Sequence, residues 1–312
     1  MKSWRMMVAI AGIGLLSLPA LGADMPQPTM EQGRMPQPGT LNYVEGAASI
    51  EGRPIGNKDV GNLELNAGEE LTTGSGKAEI LLTPGIFLRV DSNSAVKMIS
   101  PDLARTQVAV ERGRAGVEVD QIFAQNCVQV MDAGVTTQLM KPGYYEFNAN
   151  QPEAMVFSGR AEVLQGGDNW EALKSHHELA LNDDGRGKAV DFDTNPSVAN
   201  DELYNWSSLR SQYLAEDNNQ IAGDYAYGAG FYPGWYWDPY AWDYTFVGWG
   251  PFMSPFGWGF YPWGGYWGGW GGWYGRGFYG GRGFYGGGFH GGGFGGGGFH
   301  GGGFGGGMHG GR

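Results

Sequence analysis

Cysteine is nearly absent from this chain of 312 residues, which contains only Cys127. A single thiol cannot form an intrachain disulfide, so a folded body must be stabilised by its core alone. Cys127 lies in the alternating run Asn126–Val130, which is typical of a strand. We therefore expect Cys127 to be a small buried hydrophobe and not a nucleophile.

Basic residues are also scarce, with 20 Lys and Arg against 32 Asp and Glu and a formal net charge of −12. This excess of acid repels phosphate polymers and favours solubility. We therefore expect no nucleic acid among the partners of this protein.

Recognisable catalytic and metal-binding patterns are missing. The turn Thr73–Ala78 is similar to a phosphate-binding loop, but it lacks the first glycine and the hydroxyl that should follow the lysine. His176 and His177 are adjacent, so on an extended strand they point to opposite faces. The histidines near the C-terminus are separated by glycine-rich chain. The sequence thus predicts a non-enzymatic protein with no catalytic residues, no metal and no cofactor.

The first residues are typical of a secretory signal peptide. Lys2 and Arg5 precede an apolar run over 6–16, and small residues follow up to Gly22. The alternative is an uncleaved membrane anchor, but the run is shorter than the ~20 apolar residues that span a bilayer. We assign residues 1–22 to the signal peptide and expect a periplasmic, extracellular or surface protein without a transmembrane span after signal removal.

Residues 23–40 contain Met-Pro-Gln-Pro twice, which predicts an extended, proline-rich leader. Beyond Leu41, about a dozen short runs of β type are separated by turn signals roughly every ten residues. Six glycines are predicted to form structural turns between them: Gly46, Gly74, Gly85, Gly113, Gly143 and Gly159. The fold class is therefore all-β, and the spacing leaves sandwich, barrel and solenoid open.

One amphipathic helix is predicted over residues 200–217. Asn200, Asp201 and Glu202 supply a cap and two carboxylates at its start. Apolar residues then recur at three- and four-residue intervals, namely Leu203, Trp206, Leu209, Tyr213 and Leu214. We expect this stripe to seal an open end of the β core.

The chain loses its aliphatic residues after Ile221, where Val247 is the only Val, Leu or Ile. Without them we expect no close-packed core. The prediction is a disordered tail with an aromatic segment over 224–274 and Gly/Phe/His low-complexity repeats over 275–312. Its rings are candidate contact residues: Trp235, Trp237, Tyr240, Trp242, Trp249, Trp258, Trp263, Trp267, Trp270 and Trp273.

Six segments, spread in order over residues 41–166, together resemble the FecR domain. They are Gly46–Ile50, Leu71–Leu82, Val90–Val96, Val110–Val117, Lys141–Phe147 and Val156–Val163. The resemblance implies a β-solenoid-like or rolled β domain, to which we assign residues 41–199 with a C-terminal extension. In the founding members this domain is periplasmic and relays a signal from an outer-membrane iron transporter to a sigma factor. Those members carry a cytoplasmic segment and a membrane span before the domain, and the residues before Leu41 match neither.

Two functions follow from these observations. The first is an exported envelope or surface interaction module, whose aromatic tail makes multivalent contacts to glycan, to an envelope protein or to itself. The alternative is a periplasmic signalling or regulatory protein, whose β body binds a transporter or sensor through an exposed strand edge.

Overall fold

The computed structural model describes residues 35–166, 168–181, 187–225, 233–248 and 250–260. The predicted signal peptide, the leader before Met35, the aromatic segment after Phe260 and the repeats over 275–312 lie outside these residues. Within the described ranges, no helix combines the length and the apolar character needed to cross a membrane.

The body consists of short strands joined by tight turns, so the predicted all-β fold class is confirmed. In chain order the strands are β1 (Leu41–Glu45), β2 (Ala48–Ile50), β3 (Arg53–Ile55), β4 (Glu70–Thr73), β5 (Lys77–Leu81), β6 (Ile86–Val90), β7 (Ala95–Pro101), β8 (Arg105–Arg112), β9 (Arg114–Val119), β10 (Cys127–Asp132), β11 (Val135–Leu139), β12 (Gly143–Asn148), β13 (Glu153–Ser158), β14 (Arg160–Gln165), β15 (Asn169–Lys174), β16 (His177–Ala180) and β17 (Val190–Asp191). Two helices follow, α1 (Thr194–Asn200) and α2 (Glu202–Tyr225). The last described elements are β18 (Gly234–Asp238), β19 (Asp243–Val247), β20 (Phe252–Met253) and β21 (Gly259–Phe260).

The strands of the body form two large sheets. The eight-stranded sheet has the order β1-β5-β6-β9-β12-β13-β16-β17, and the nine-stranded sheet has the order β15-β14-β11-β10-β8-β7-β4-β2-β3. The chain passes from one sheet to the other, in most cases after two strands, and a single hydrophobic cluster contains side chains from both. The described strands thus form two facing sheets with a shared core, and neither sheet closes into a barrel.

Local alternation explains why these segments are strands. In β10, Val128 and Val130 are fully buried, whereas Cys127 and Gln129 on the other face are partly exposed. Cys127 is therefore less buried than its sequence context predicts. Strand β10 pairs antiparallel with β11 and parallel with β8, where Cys127 lies opposite Arg105.

Four of the six predicted turn glycines have a left-handed backbone: Gly46 (φ 65°), Gly85 (84°), Gly113 (72°) and Gly159 (98°). Gly143 is different, because it begins β12 and a Cβ there would lie 2.1 Å from the Ser158 carbonyl oxygen. Gly143 is needed for this close approach of two chains. Gly74 has neither feature, and a Cβ there would make only ordinary contacts with Ala47.

Helix α2 begins where the sequence predicts, because the Asp201 carboxylate accepts from the backbone N–H groups of Leu203 and Tyr204 at 2.9 and 3.0 Å. It continues to Tyr225, eight residues beyond the predicted end at 217. It does not seal an end of the core. Instead, it packs against β9 and covers the outer face of the eight-stranded sheet.

The predicted apolar stripe of α2 is only partly correct. Leu203 and Leu214 are fully buried, but Leu209 and Tyr213 are 45% and 48% exposed. Four further buried positions of α2 are polar: Ser207, Arg210, Ser211 and Asn218. Polar side chains are buried here because the sheet face beneath them carries carboxylates and an arginine.

The prediction that the chain packs no core after Ile221 is wrong for residues 233–248 and 250–260. There β18 pairs with β19, and β20 pairs with β21. Tyr244, Phe246 and Phe260 join a second hydrophobic cluster with Leu81 and Phe87 of the sheet and Leu214 and Ala215 of α2. The rings thus supply one wall of a core whose aliphatic residues come from elsewhere in the chain.

Candidate functional site

The loop between β18 and β19 is a built turn that presents two aromatic rings. Asp238 Oδ1 accepts from the backbone N–H groups of Tyr240 and Ala241 at 2.7 and 3.2 Å. The Trp242 N–H donates to the Asp238 carbonyl oxygen at 2.8 Å. We call residues 238–243 the hairpin tip.

Trp242 has a φ of 59°, in the left-handed region that bulky residues rarely occupy. Such a conformation costs of order 1–3 kcal/mol and persists only where neighbouring groups hold it. Burial of the rings does not offset this strain, because Trp242 is 65% exposed and Tyr240 is 83% exposed. A strained backbone that presents an exposed indole points to a contact residue.

The Trp242 ring is supported from one side. Its centroid lies 6.0 Å from that of Trp237, edge to face, and Trp237 contacts Tyr244 at 5.0 Å in a similar arrangement. Trp237 is partly buried and packs against the main core. The exposed ring therefore stands on a row of packed aromatics.

An open groove of about 820 Å³ lies beside the hairpin tip. Its size falls within the range of small-molecule sites, roughly 300–1,000 Å³. Three segments of the chain line it: Tyr43–Gly46 from β1 and the turn that follows it, Gly56–Lys58 with Val60, and Ala241–Trp242. The turn that carries Asn57 and Lys58 is fixed by Asp59, whose carboxylate accepts from the Gly56 N–H at 3.0 Å.

Tyr43 connects the groove to the interior. The guanidinium of Arg210 lies 4.2 Å from the centre of its ring, and its hydroxyl donates to Glu45 at 3.3 Å. Burial, with the nearby Glu45 carboxylate, raises the pKa of Tyr43 above its ordinary value. The phenol therefore stays protonated at neutral pH and can act as a donor.

A buried ion network lies under the groove and the hairpin tip. Arg89 pairs with Glu79 at 2.8 Å and with Glu118, and all three side chains are fully buried. Arg210 of α2 joins Glu79 at 3.1 Å to Asp243 of β19 at 2.9 Å. These side chains are shielded from water because α2 and the hairpin cover the sheet.

The network holds two arginines against three carboxylates. Burial alone would raise the pKa of Glu79, but Arg210 and Arg89 lower it to about 2. Burial raises the pKa of Asp243 in spite of the opposing effect of Arg210. Because Asp243 closes the hairpin tip, Arg210 fixes the tip to the sheet.

A second polar cluster attaches the other end of α2. Arg114 contacts both Glu146 and Asp201, and the Tyr144 hydroxyl donates to Glu146 at 2.8 Å and lies 3.0 Å from Ser207 Oγ. Burial raises the pKa of Glu146 to about 8, although Arg114 opposes the shift. These contacts hold the helix against the sheet, and this structural role explains why the polar side chains lie together here. Among the described residues, no group of three or more His, Cys, Asp or Glu side chains could hold a metal ion.

The predicted aromatic contacts separate into three groups. Tyr240 and Trp242 are exposed at the hairpin tip. Trp235, Trp237 and Trp258 are partly buried packing residues; Trp235 contacts Phe87 at 5.0 Å, and the Trp258 indole N–H donates to Ser208 O at 2.9 Å. The rest lie outside the described residues: Trp249, Trp263, Trp267, Trp270 and Trp273.

The side of the groove that faces Trp242 has no recognisable signal in the sequence. Tyr43, Asn57 and Lys58 are ordinary strand and turn residues in the sequence, and only the fold brings them next to Trp242. One signal was available, since an arginine amid the apolar residues of a helix, as at Arg210, indicates a buried partner.

No family model matches this chain, and no curated protein is similar to it. Two solved structures of a "putative anti-sigma factor" from Parabacteroides distasonis, at 2.50 and 1.65 Å resolution, are similar with 14% sequence identity and TM-scores of 0.36. Each match covers 42% of this chain and 62% or 63% of the other, so this chain spans less than two thirds of those proteins. At this level of similarity, the function must be argued from the residues of this chain.

Proposed function

We propose that this protein is a non-enzymatic interaction module of the bacterial envelope. The two-sheet body acts as a rigid base, and the hairpin tip with the adjoining groove contacts a glycan or protein of the periplasm or the cell surface. The envelope location rests on the predicted signal peptide at residues 1–22.

The conformation of Trp242 carries the proposal. Its indole is 65% exposed on a strained backbone, and Asp238, Trp237 and Asp243 hold the turn in place. Large, stiff aromatic rings are the residues that most often dominate binding when they stand on a rigid support. An exposed indole without a partner would only favour aggregation.

The test is binding of the full-length protein to purified peptidoglycan and to insoluble exopolysaccharide. We expect the double variant Tyr240→Ala with Trp242→Ala to lose most of the bound fraction without a change in melting temperature. Trp170→Ala is the matched control, because Trp170 is also an exposed indole, 41% accessible, but lies on β15. Equal retention of the double variant and the wild type on both materials would overturn the proposal.

The tail beyond Phe260 adds rings that can bind multivalently. Replacing Trp263, Trp267, Trp270 and Trp273 together by alanine should lower retention by the insoluble polymers and leave the hairpin contact intact. Retention that depends only on these four residues would move the contact site from the hairpin tip to the tail.

The second candidate function is the regulatory one that the FecR resemblance implies. One observation favours it: β15 is an edge of the nine-stranded sheet, with β14 on one side and no described strand on the other. A partner could add a strand there. In the host bacterium, Ala172→Pro should then reproduce the transcriptional effect of deleting the gene, whereas Trp242→Ala should not. Unchanged transcript levels in the deletion strain would remove this function.

A further inference from the structure

The groove beside the hairpin tip contains polar groups with unused hydrogen-bonding capacity. Among the described residues, the Lys58 ammonium and the Asn57 side-chain amide have no hydrogen-bond or ion-pair partner, and the Trp242 indole N–H has no acceptor. Within the same part of the chain, the Glu45 carboxylate accepts only from the Tyr43 hydroxyl, at 3.3 Å. Donors and an acceptor thus surround one exposed aromatic face.

The charges at the groove are balanced. Glu45 and Lys58 contribute one charge of each sign, while the whole chain has a net charge of −12. A polyanion would be repelled by the acidic surface and would meet only one cation in the groove. A polycation would meet only one carboxylate there. The groove therefore suits an uncharged ligand that carries many hydroxyl or amide groups.

We infer that this groove binds a neutral oligosaccharide. A pyranose ring has an apolar C–H face that can stack on the Trp242 indole and a rim of hydroxyls that needs both donors and acceptors. Lys58 and Asn57 donate to this rim, and Glu45 and the Tyr43 hydroxyl oxygen accept from it. Tyr240 extends the aromatic surface for a second ring. This inference rests on the proposed interaction module and names the ligand class of its groove.

The experiment is calorimetric titration of the full-length protein with two soluble neutral probes, the tetramer of N-acetylglucosamine and cellotetraose. We expect at least one of them to bind. Trp242→Ala should weaken the Kd about tenfold. Lys58→Ala and Glu45→Gln should each weaken it several-fold. Trp170→Ala and Lys174→Ala are the matched controls on β15, and both should leave the Kd unchanged.

An anionic tetragalacturonate probe tests the charge argument. It should bind more weakly than the neutral probes, and Glu45→Gln should bring its affinity closer to theirs. Stronger binding of the anionic probe than of either neutral one would overturn the inference of a neutral ligand.

Three further outcomes separate the inference from the proposed function. If the full-length protein is retained on peptidoglycan through Tyr240 and Trp242 but binds neither neutral tetramer, the saccharide assignment fails and the interaction module stands. If a synthetic peptide of residues 23–40 binds at the groove and the tetramers do not, the groove is a peptide site. If the tetramers bind but Trp242→Ala and Lys58→Ala leave the Kd unchanged, saccharide binds elsewhere and the groove assignment is wrong.

Discussion

The side chain of Asn42 pairs with the backbone of Tyr244 as a neighbouring strand would. Asn42 Nδ2 donates to the Tyr244 carbonyl oxygen at 3.0 Å, and the Tyr244 N–H donates to Asn42 Oδ1 at 2.7 Å. The same amide donates to Glu79 at 2.8 Å, and Asn42 is fully buried. One side chain in the first strand therefore joins the C-terminal hairpin to the buried ion network.

Asn42→Ala should lower the free energy of unfolding by about 2–4 kcal/mol, because it leaves a buried N–H and carbonyl of Tyr244 unpaired. Urea denaturation monitored by circular dichroism measures this loss. Asn62→Ala is the control, since Asn62 makes one short-range bond to the Val60 carbonyl at 3.2 Å. Similar losses in the two variants would show that the Asn42 pairing contributes nothing particular.

Arg210→Ala should cost about 3–5 kcal/mol, because it leaves Glu79 and Asp243 buried without their shared cation. The control is Arg53→Ala, which removes a largely exposed side chain and its pair with Asp59 at 3.7 Å and should cost under about 1 kcal/mol. Both free energies come from the same urea titration. A small loss in Arg210→Ala would mean that the hairpin tip is held without this bridge.

Phe246→Ala should destabilise the protein by about 3–5 kcal/mol. Phe246 is fully buried and lies 5.7 Å from Trp235, in the cluster that includes Leu81 and Phe87. Tyr240→Ala, at an 83% exposed residue of the same hairpin, should change stability by less than about 0.5 kcal/mol. Equal melting temperatures for the two variants would show that residues 233–260 do not belong to the core.

The stability of the protein should fall as the pH rises from about 4 to about 6, in part because of Asp132. Burial raises the pKa of Asp132 to about 6, whereas an unfolded aspartate titrates near ~3.9. In this window the folded state binds more protons than the unfolded state, so deprotonation costs up to about 3 kcal/mol of stability at pH 7.

Asp132→Asn should remove that loss, so the variant gains stability over the wild type at pH 7 but not at pH 4. Guanidinium denaturation at several pH values measures the difference. The exposed Asp168 provides the control, and Asp168→Asn should parallel the wild type. A constant difference between Asp132→Asn and wild type across this range would contradict the prediction.

The strands could be predicted because each carries its own local signal. In β10 the inward valines alternate with outward polar residues, and glycines with a left-handed backbone, such as Gly85 and Gly113, stand between strands. The start of α2 had an equally local signal in the Asp201 cap. These features depend on neighbours in the sequence, so the sequence alone identifies them.

The buried network and the docked hairpin could not be predicted in the same way. Polar residues that alternate with apolar ones along a strand usually face water. Glu79 and Glu118 occupy such alternate positions in the sequence, so the sequence alone predicts that they are exposed. Their burial depends on α2 and on β19, which are far away in the sequence. Phe246 has only Val247 as an aliphatic neighbour in the sequence and Phe260 has none, but both rings pack on Leu81 and Leu214. Arg89, between apolar residues of β6, was a local sign of a covered polar face, as was Arg210 in α2.

The bond between Asn42 and Tyr244 also sets an order of events during synthesis. These residues are 202 positions apart, so the first strand waits for its last partner until most of the chain has been made. Contacts of such long sequence separation form slowly. A nascent chain that ends before β19 therefore lacks Asp243 and the Tyr244 backbone, so Arg210 and Asn42 remain without these partners until the hairpin has been made.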